Sequence, residues 1–253
     1  MENAILWGLI QGLSEFLPIS SDGHLILVPA LLGRDGPDLG TTAVLHIGTL
    51  ASVLVYYRAE IAEMLRFTPE GKRLLRFVVI GTIPAAVVGL AFYSFFDEAG
   101  EDPKVVAALM IAAGVMMVLT RYIAVGDRRR EDLTLTDAVA IGSAQAIALL
   151  PGVTRSGITI ATGLGRRFDR AEAANLSFLM GIPAIAGAGL LGLLDVSGEG
   201  GVGLDFSLVL GTVVAGVTGY LAIRFLVKFI GRVGLVPFGI YCIAFGGLSL
   251  ILL

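Results

Sequence analysis

Gln11-Gly-Leu-Ser-Glu15-Phe-Leu-Pro18-Ile-Ser20-Ser21-Asp22-Gly-His24 sets an acid, two adjacent serines, an aspartate and a histidine inside an otherwise apolar N-terminal region. A second stretch, Pro151-Gly-Val-Thr154-Arg155-Ser156-Gly-Ile-Thr159, does something similar and adds an arginine. Each breaks a hydrophobic segment in its middle, so the fold turns on how the surrounding chain accommodates two interrupted segments.

That chain is membrane sequence. Of 253 residues 56% are hydrophobic and 15% charged, and mean hydropathy is +0.87; a soluble domain carries about 25% charged residues. The 34 glycines suit close helix packing in lipid. Net charge is −3 with no basic tail, which offers nucleic acid nothing to bind. The one cysteine, Cys242, excludes an intramolecular disulfide and a cysteine metal cluster, and reads as a small apolar filler. Met-Glu-Asn lacks the basic start of a cleaved signal peptide, so the N-terminus reads as mature sequence.

Apolar runs long enough to cross come at about 41–57, 77–96, 104–123, 173–194, 207–226 and 233–253. The connections 58–76, 124–135, 164–172 and 224–232 are rich in arginine and lysine, whereas 97–104 and 195–205 are acidic. Positive-inside places the first four in the cytoplasm and the last two outside, and all six spans then alternate. Residues 136–163 must return to the cytoplasmic side, and residues 1–40 must stay on the outer side. Neither has two full spans, so both are expected to be re-entrant helix–turn–helix hairpins. Irregular backbone at membrane depth has to be buried in protein or line a wet cavity.

Gln11–Pro18 also resembles Gln145–Pro151, and Ile83-Pro84-Ala85-Ala86 resembles Ile182-Pro183-Ala184-Ile185. With hairpins entering from opposite faces, this predicts one integral-membrane domain, 1–253. It would be an inverted-topology repeat, about 1–123 and about 136–253, with a site where the halves meet. The fold class is an all-α polytopic membrane protein of six transmembrane helices plus two re-entrant hairpins.

Gln11 and Glu15 share a helix face. A carboxylate at membrane depth is costly and normally functional, here as a metal ligand or general base, unless it is solvated near the outer surface. Ser20, Ser21 and Asp22 read as the cap and first turn of a second helix, whose N-terminus suits an anion. Ser21 and His24, three apart, can meet as an activated nucleophile or be simply a cap and an interfacial histidine. Thr154, Arg155, Ser156 and Thr159 repeat the arrangement with a cation, and Arg155 at depth needs a partner: Glu15, Asp22 or a phosphate. His46, early in the first span on the outer side, reads first as a packed or interfacial histidine, with contact to the same cavity as the alternative.

At these residues the chain resembles the undecaprenyl-diphosphate phosphatase, or bacitracin-resistance, family. The first motif is matched by Gln11 to His24, the second by Pro151 to Thr159. Leu45-His46-Ile-Gly-Thr-Leu, Arg166-Arg167-Phe and Ile182-Pro-Ala-Ile-Ala-Gly support it, over nearly the whole chain. The resemblance implies hydrolysis of a polyisoprenyl diphosphate to monophosphate and inorganic phosphate, which recycles the lipid carrier of cell-envelope glycan synthesis. It implies a plasma-membrane site open to the outer face with a divalent cation, Mg²⁺ or Ca²⁺, on Glu15. Carried over, Glu15, Ser21, His24 and Arg155 are catalytic, and Gln11, Ser20, Thr154, Ser156 and Thr159 bind substrate. Ser21 attacks phosphorus, or orients a water, while His24 moves the proton. Asp22, Thr42, Thr154 and Cys242 depart from the family pattern. A homodimer is compatible with this reading. The alternative is a lipid or anion transporter, a flippase, on the same inverted repeat.

Overall fold

The computed structural model describes residues 2–197 and 206–253, and those residues are helical throughout apart from turns and one isolated β-bridge, Arg128 to Phe168. Both interrupted segments are helix–turn–helix hairpins. In the first, α1 (Glu2–Phe16) stops just before Pro18 and α2 (Ser21–Leu31) restarts after it. Proline has no N–H to continue a helix and disfavours helical geometry in the residue before it. Ser20 caps the restart, accepting from the Gly23 N–H at 3.2 Å. Its backbone is held at φ 70, a strained value for a residue with a side chain.

Five α-helices, the last prolonged by a 3₁₀ turn, lie between this hairpin and the second. They are α3 (Leu39–Tyr56), α4 (Arg58–Leu65), α5 (Pro69–Ala91), α6 (Tyr93–Glu101), α7 (Pro103–Leu119) and a 3₁₀ turn to Tyr122. The second hairpin is α8 (Leu135–Ile147) and α9 (Arg155–Gly165), with Pro151 in the break. Thr154 is its cap, accepting from the Gly157 N–H at 3.2 Å. The turn needs Gly152 at φ 95, and a Cβ there would sit 2.3 Å from the Val106 carbonyl oxygen. Then come α10 (Arg170–Ser197), α11 (Phe206–Val233) and α12 (Val236–Leu252).

Among the described residues, five stretches are long and apolar enough to cross a membrane: Leu39–Tyr56, Pro69–Ala91, Pro103–Tyr122, Arg170–Leu194 and Phe206–Val233. The chain is a multi-pass α-helical membrane protein, with five such helices where the sequence suggests six. The expected last span, 233–253, is cut short because Gly234, at φ 67, ends α11 and starts α12 afresh. The 17 residues of α12 rise about 25 Å, short of the ~30 Å hydrocarbon core. The second span also shifts. Thr68 caps α5 early, so Lys72, Arg73 and Arg76 lie within it, and the helix breaks at Phe92 rather than running to 96. Its Val79, Ile83, Val87 and Leu90 form an exposed stripe, a lipid-facing edge. The acidic residues Glu199 and Asp205 lie outside the described residues.

Elements from the two halves interleave. α1 packs along α11, and α8 along α5; α3 packs on α10, and α7 on α12. Both hairpin contacts are glycine approaches. A Cβ on Gly8 would fall 2.1 Å from the Gly211 carbonyl oxygen, and one on Gly142 2.2 Å from that of Gly81. Gly8 stands to Gln11 as Gly142 stands to Gln145. The likeness between Ile83-Pro84 and Ile182-Pro183 does not follow this exchange: α5 plays beside α8 the part that α11, not α10, plays beside α1. The buried core runs through Phe16, Tyr57 and Phe178, with Phe16 edge-on to Phe178 at 5.6 Å.

Candidate active site

The tips of the two hairpins meet. Ser156, in the first turn of α9, donates to the Leu17 carbonyl at 3.3 Å, and Cys242 of α12 reaches the Pro18 carbonyl at 3.7 Å. Cys242 is thus the buried filler the sequence suggests, with a weak donor role added. Between the tips and α10 is a cavity of ≈ 100 Å³. Glu15, Ser20, Ser21, Asp22, Thr154 and Arg155 line it, with His46 from α3 and small residues of α10.

Glu15 is its centre. Arg155 Nη2 donates to Oε1 at 2.9 Å; Ser21 Oγ donates to Oε2 at 2.8 Å, and Gln11 Nε2 to the same oxygen at 3.2 Å. The partner that Arg155 requires is therefore Glu15, on the opposite hairpin. Arg155 also reaches the Ser177 carbonyl at 3.4 Å. It lies flat against Gly181, where a Cβ would stand 2.1 Å from Nη1. Gln11 keeps a buried Oε1 with no partner. Leu149 stands where the second hairpin would need a counterpart of Glu15, and there Gln145 is buried with neither amide atom partnered.

The expected pairing of Ser21 with His24 does not form. His24 Nδ1 faces the Ser20 carbonyl at 2.7 Å and Nε2 faces the Tyr241 hydroxyl at 2.7 Å. The ring stacks on Phe245 at 4.8 Å. Both nitrogens are engaged, so His24 fastens α2 to α12, and Ser21 turns to Glu15 instead. The histidine that reaches the cavity is His46, against expectation. Its Nδ1 lies 2.8 Å from the Thr42 carbonyl, which can only accept, so Nε2 is the open acceptor, 3.8 Å from Glu15 Oε2.

Ser156 and Thr159, expected to bind substrate, point elsewhere. Ser156 ties the hairpins together, and Thr159 bonds the Arg155 carbonyl at 2.7 Å and Ser177 Oγ at 2.7 Å, holding α9 to α10. Ser20 and Thr154 line the cavity as caps. Asp22 lines it too, with no hydrogen bond or ion pair among the described residues. His46 and Gly181 are site residues outside the expected set; the signal for His46 was its place in the supporting stretch that begins at Leu45, and Gly181 stands one residue before the stretch that begins at Ile182.

No group of three His, Cys, Asp or Glu suited to a metal occurs among the described residues. Two carboxylates, Glu15 and Asp22, face the cavity. Mg²⁺ is commonly held by one or two carboxylates together with substrate phosphates. The donor set fits a cation that arrives with a diphosphate rather than one caged by protein alone.

The far end of the second hairpin is locked by charge. Asp137 at the start of α8 accepts from Arg128 at 2.7 Å, Arg166 at 2.7 Å and the Thr134 hydroxyl at 2.7 Å. Burial raises its pKa, but these hydrogen bonds outweigh burial and hold the carboxyl well below the usual carboxylate range.

The fold and the site define a class: a multi-pass membrane protein whose two hairpin tips enclose a serine, a carboxylate and an arginine in one cavity. The profile described as bacitracin resistance protein BacA matches residues 4–248, and the chain belongs to that family. It is 43% identical over 232 residues to the undecaprenyl-diphosphatase of Thermodesulfovibrio yellowstonii, covering 90% of this chain and 88% of that protein. It is 40% identical over 265 residues to the undecaprenyl-diphosphatase of Rubrobacter xylanophilus, covering 99% and 97%. Undecaprenyl-diphosphatase 2 of Stutzerimonas stutzeri is 40% identical over 262 residues, covering 98% and 96%.

Proposed function

We propose that this protein hydrolyses undecaprenyl diphosphate to the monophosphate and inorganic phosphate, in a cavity open to the outer face of the plasma membrane. The observation that carries the reading is the convergence of Ser21 and Arg155, from opposite hairpins, on Glu15. Two of the five N–H donors of Arg155 are engaged, which leaves three for phosphate oxygens. Stabilising charge on the transferring phosphoryl group is the main catalytic task, and the arginine and the α2 and α9 N-termini are placed for it.

Ser21 Oγ attacks the terminal phosphorus and its proton passes to Glu15. The bond from that phosphorus to the bridging oxygen breaks, and the lipid monophosphate leaves. Water then hydrolyses the phosphoserine to release inorganic phosphate; His46 Nε2 is the open acceptor that orients it. A divalent cation, when bound, supplies positive charge to the diphosphate, and Glu15 and Asp22 are the residues that would hold it. The interleaved packing, with its two glycine-lined hairpin contacts, supports an inverted repeat of about 1–123 and about 136–253, with α12 as the sixth membrane helix and both hairpins re-entrant.

The test is phosphate release from a C55 diphosphate by purified, detergent-solubilised protein. Release without a second compartment separates hydrolysis from transport. A wild-type rate in Ser21→Ala eliminates the serine step, and full activity in Arg155→Ala eliminates the site.

A further inference from the structure

A second cavity, of ≈ 140 Å³, opens at the arginine-rich end of the molecule and shares no lining residue with the first. It lies where the end of α7, the end of α9, the start of α10 and the α11–α12 corner come together, and Arg121, Arg170, Leu164, Gly234 and Leu235 line it. The other arginines of this end that make ion pairs spend their charge within the protein: Arg128 and Arg166 on Asp137, Arg130 on Glu60 and Glu172. Among the described residues, neither Arg121 nor Arg170 has a carboxylate partner. Arg170 makes only a long bond, 3.4 Å, to the Gly231 carbonyl, and Arg121 rests on the ring of Tyr122 at 4.5 Å and donates to the Tyr122 hydroxyl, which leaves the rest of its fork open.

The floor of the cavity is apolar, with Leu164 and Leu235 buried. Exposed Val125 lines it too, and Leu119 and Tyr122, next to the lining residues Thr120 and Arg121 in the chain, are exposed as well. Tyr122, 70% exposed beside two arginines without a carboxylate partner, has the character of a side chain at headgroup level. Two arginines in one recess bind phosphate oxygens in a forked geometry. The apolar rim gives a place to acyl chains, which a free phosphate does not need. Basic pockets between membrane helices on the cytoplasmic side are known to take anionic headgroups.

We propose that this cavity binds the phosphate of an anionic phospholipid of the arginine-rich leaflet, clamped between Arg121 and Arg170. The lipid would brace the Gly234 corner from which α12 starts, and α12 carries Tyr241 and Cys242 to the first hairpin. The site is independent of the catalytic reading.

The probe is dioctanoyl phosphatidylglycerol, added to protein in a zwitterionic detergent and followed by thermal unfolding and by native mass spectrometry. Dioctanoyl phosphatidylcholine and inorganic phosphate are the comparison arms. Phosphatidylglycerol is expected to raise the midpoint by about 3 °C or more, with phosphatidylcholine and phosphate giving no rise. The rise and the bound-lipid mass are expected to be lost in Arg121→Gln/Arg170→Gln, and halved or worse in each single variant. The variants should keep phosphate release from the C55 diphosphate in detergent, which reports that they are folded. If the double variant fails to fold, the single variants decide. An equal rise in wild type and variants, or an equal rise with phosphatidylcholine, overturns the proposal. A rise with inorganic phosphate alone, lost in the variants, assigns the cavity to free phosphate and overturns the lipid reading.

Discussion

Arg155 and Glu15, 140 residues apart in the chain, share a hydrogen bond of 2.9 Å that closes the cavity from opposite hairpins. Each is the other's charge partner, and both are mostly buried, with side chains 14% and 8% exposed. Removing either leaves a buried, uncompensated charge. Arg155→Ala is expected to lower kcat/KM by at least about 100-fold, the loss typical of one preorganised donor. Glu15→Gln should do the same through the attack step. Turnover within tenfold of wild type in both variants contradicts the assignment.

Gly181 tests the arginine by another route. A methyl at that position would meet the guanidinium, the mobile end of a long side chain, rather than backbone. Gly181→Ala should therefore move Arg155 while leaving the helices packed. The expected outcome is a drop in kcat/KM of about tenfold or more, of the size that a ~1 Å misplacement of a binding group produces. The unfolding midpoint should hold within about 2 °C. A large stability loss with unchanged turnover would mean that the helix, not the arginine, yields.

The two histidines separate by step. His46 faces the cavity, and His24 is held between Ser20, Tyr241 and Phe245. If His46 orients the hydrolytic water, His46→Ala should slow the second half-reaction. Phosphoserine at Ser21 should then accumulate from terminally labelled substrate and be recovered after acid quench. Tyr241→Phe removes only the hydroxyl that holds His24, and is expected to cost activity by loosening α2, with no labelled protein. Labelled protein in the tyrosine variant but not in His46→Ala would reverse these roles.

That division of labour shows where the sequence was readable. Pro18 ends α1 through backbone chemistry that acts within two residues, and Pro151 lies in the break that follows α8. Ser20 and Thr154 cap through bonds three residues long. The hairpins and their caps are therefore visible in the chain, along with most spans; that Arg155 needs a partner is visible too, but the choice of Glu15 over Asp22 or a phosphate is made by tertiary packing. His24 is different. Its orientation is set by Tyr241 and Phe245, over 200 positions away, while the spacing to Ser21 only permits a contact that tertiary packing then withholds. The α11–α12 break is displaced rather than hidden. The basic stretch 224–232 reads as the connection, yet α11 runs through it to Val233, and the left-handed Gly234 and the proline at the start of α12 divide the helices instead. Ser156 and Thr159 carry the hydroxyls that phosphate binding would use, yet the helix turns them toward Leu17 and Ser177.

Asp22 puts a second carboxylate in the cavity, at a position where the family resemblance leads one to expect Ser or Thr. An unpartnered carboxylate near a diphosphate is repulsive unless a cation lies between them. Asp22→Ser is expected to weaken Mg²⁺ or Ca²⁺ binding to protein loaded with a non-hydrolysable diphosphate, read by isothermal titration, about tenfold or more, the size of loss that follows removal of a group from a metal's surroundings. The same variant should need more cation for half-maximal turnover. Unchanged binding with unchanged cation dependence would remove Asp22 from the cation's surroundings.

Asp137 should govern acid stability at the opposite end. Its folded pKa is depressed, so the charged form favours folding. The contribution is complete above the unfolded aspartate value of about 4 and is lost progressively as pH falls below it. Wild type should therefore lose thermal stability between about pH 4 and pH 2 more steeply than Asp137→Asn, which cannot gain that proton. At pH 7 the substitution leaves Arg128 and Arg166 facing a neutral amide. It is expected to cost about 2–4 kcal/mol, somewhat under the ~3–5 of a fully buried pair because the Arg166 side chain is 36% exposed. Thermal unfolding of both proteins across that pH range is the measurement. Parallel curves for the two would mean that the arginines are satisfied without the carboxylate, and that the α8–α9 hairpin is anchored by packing alone.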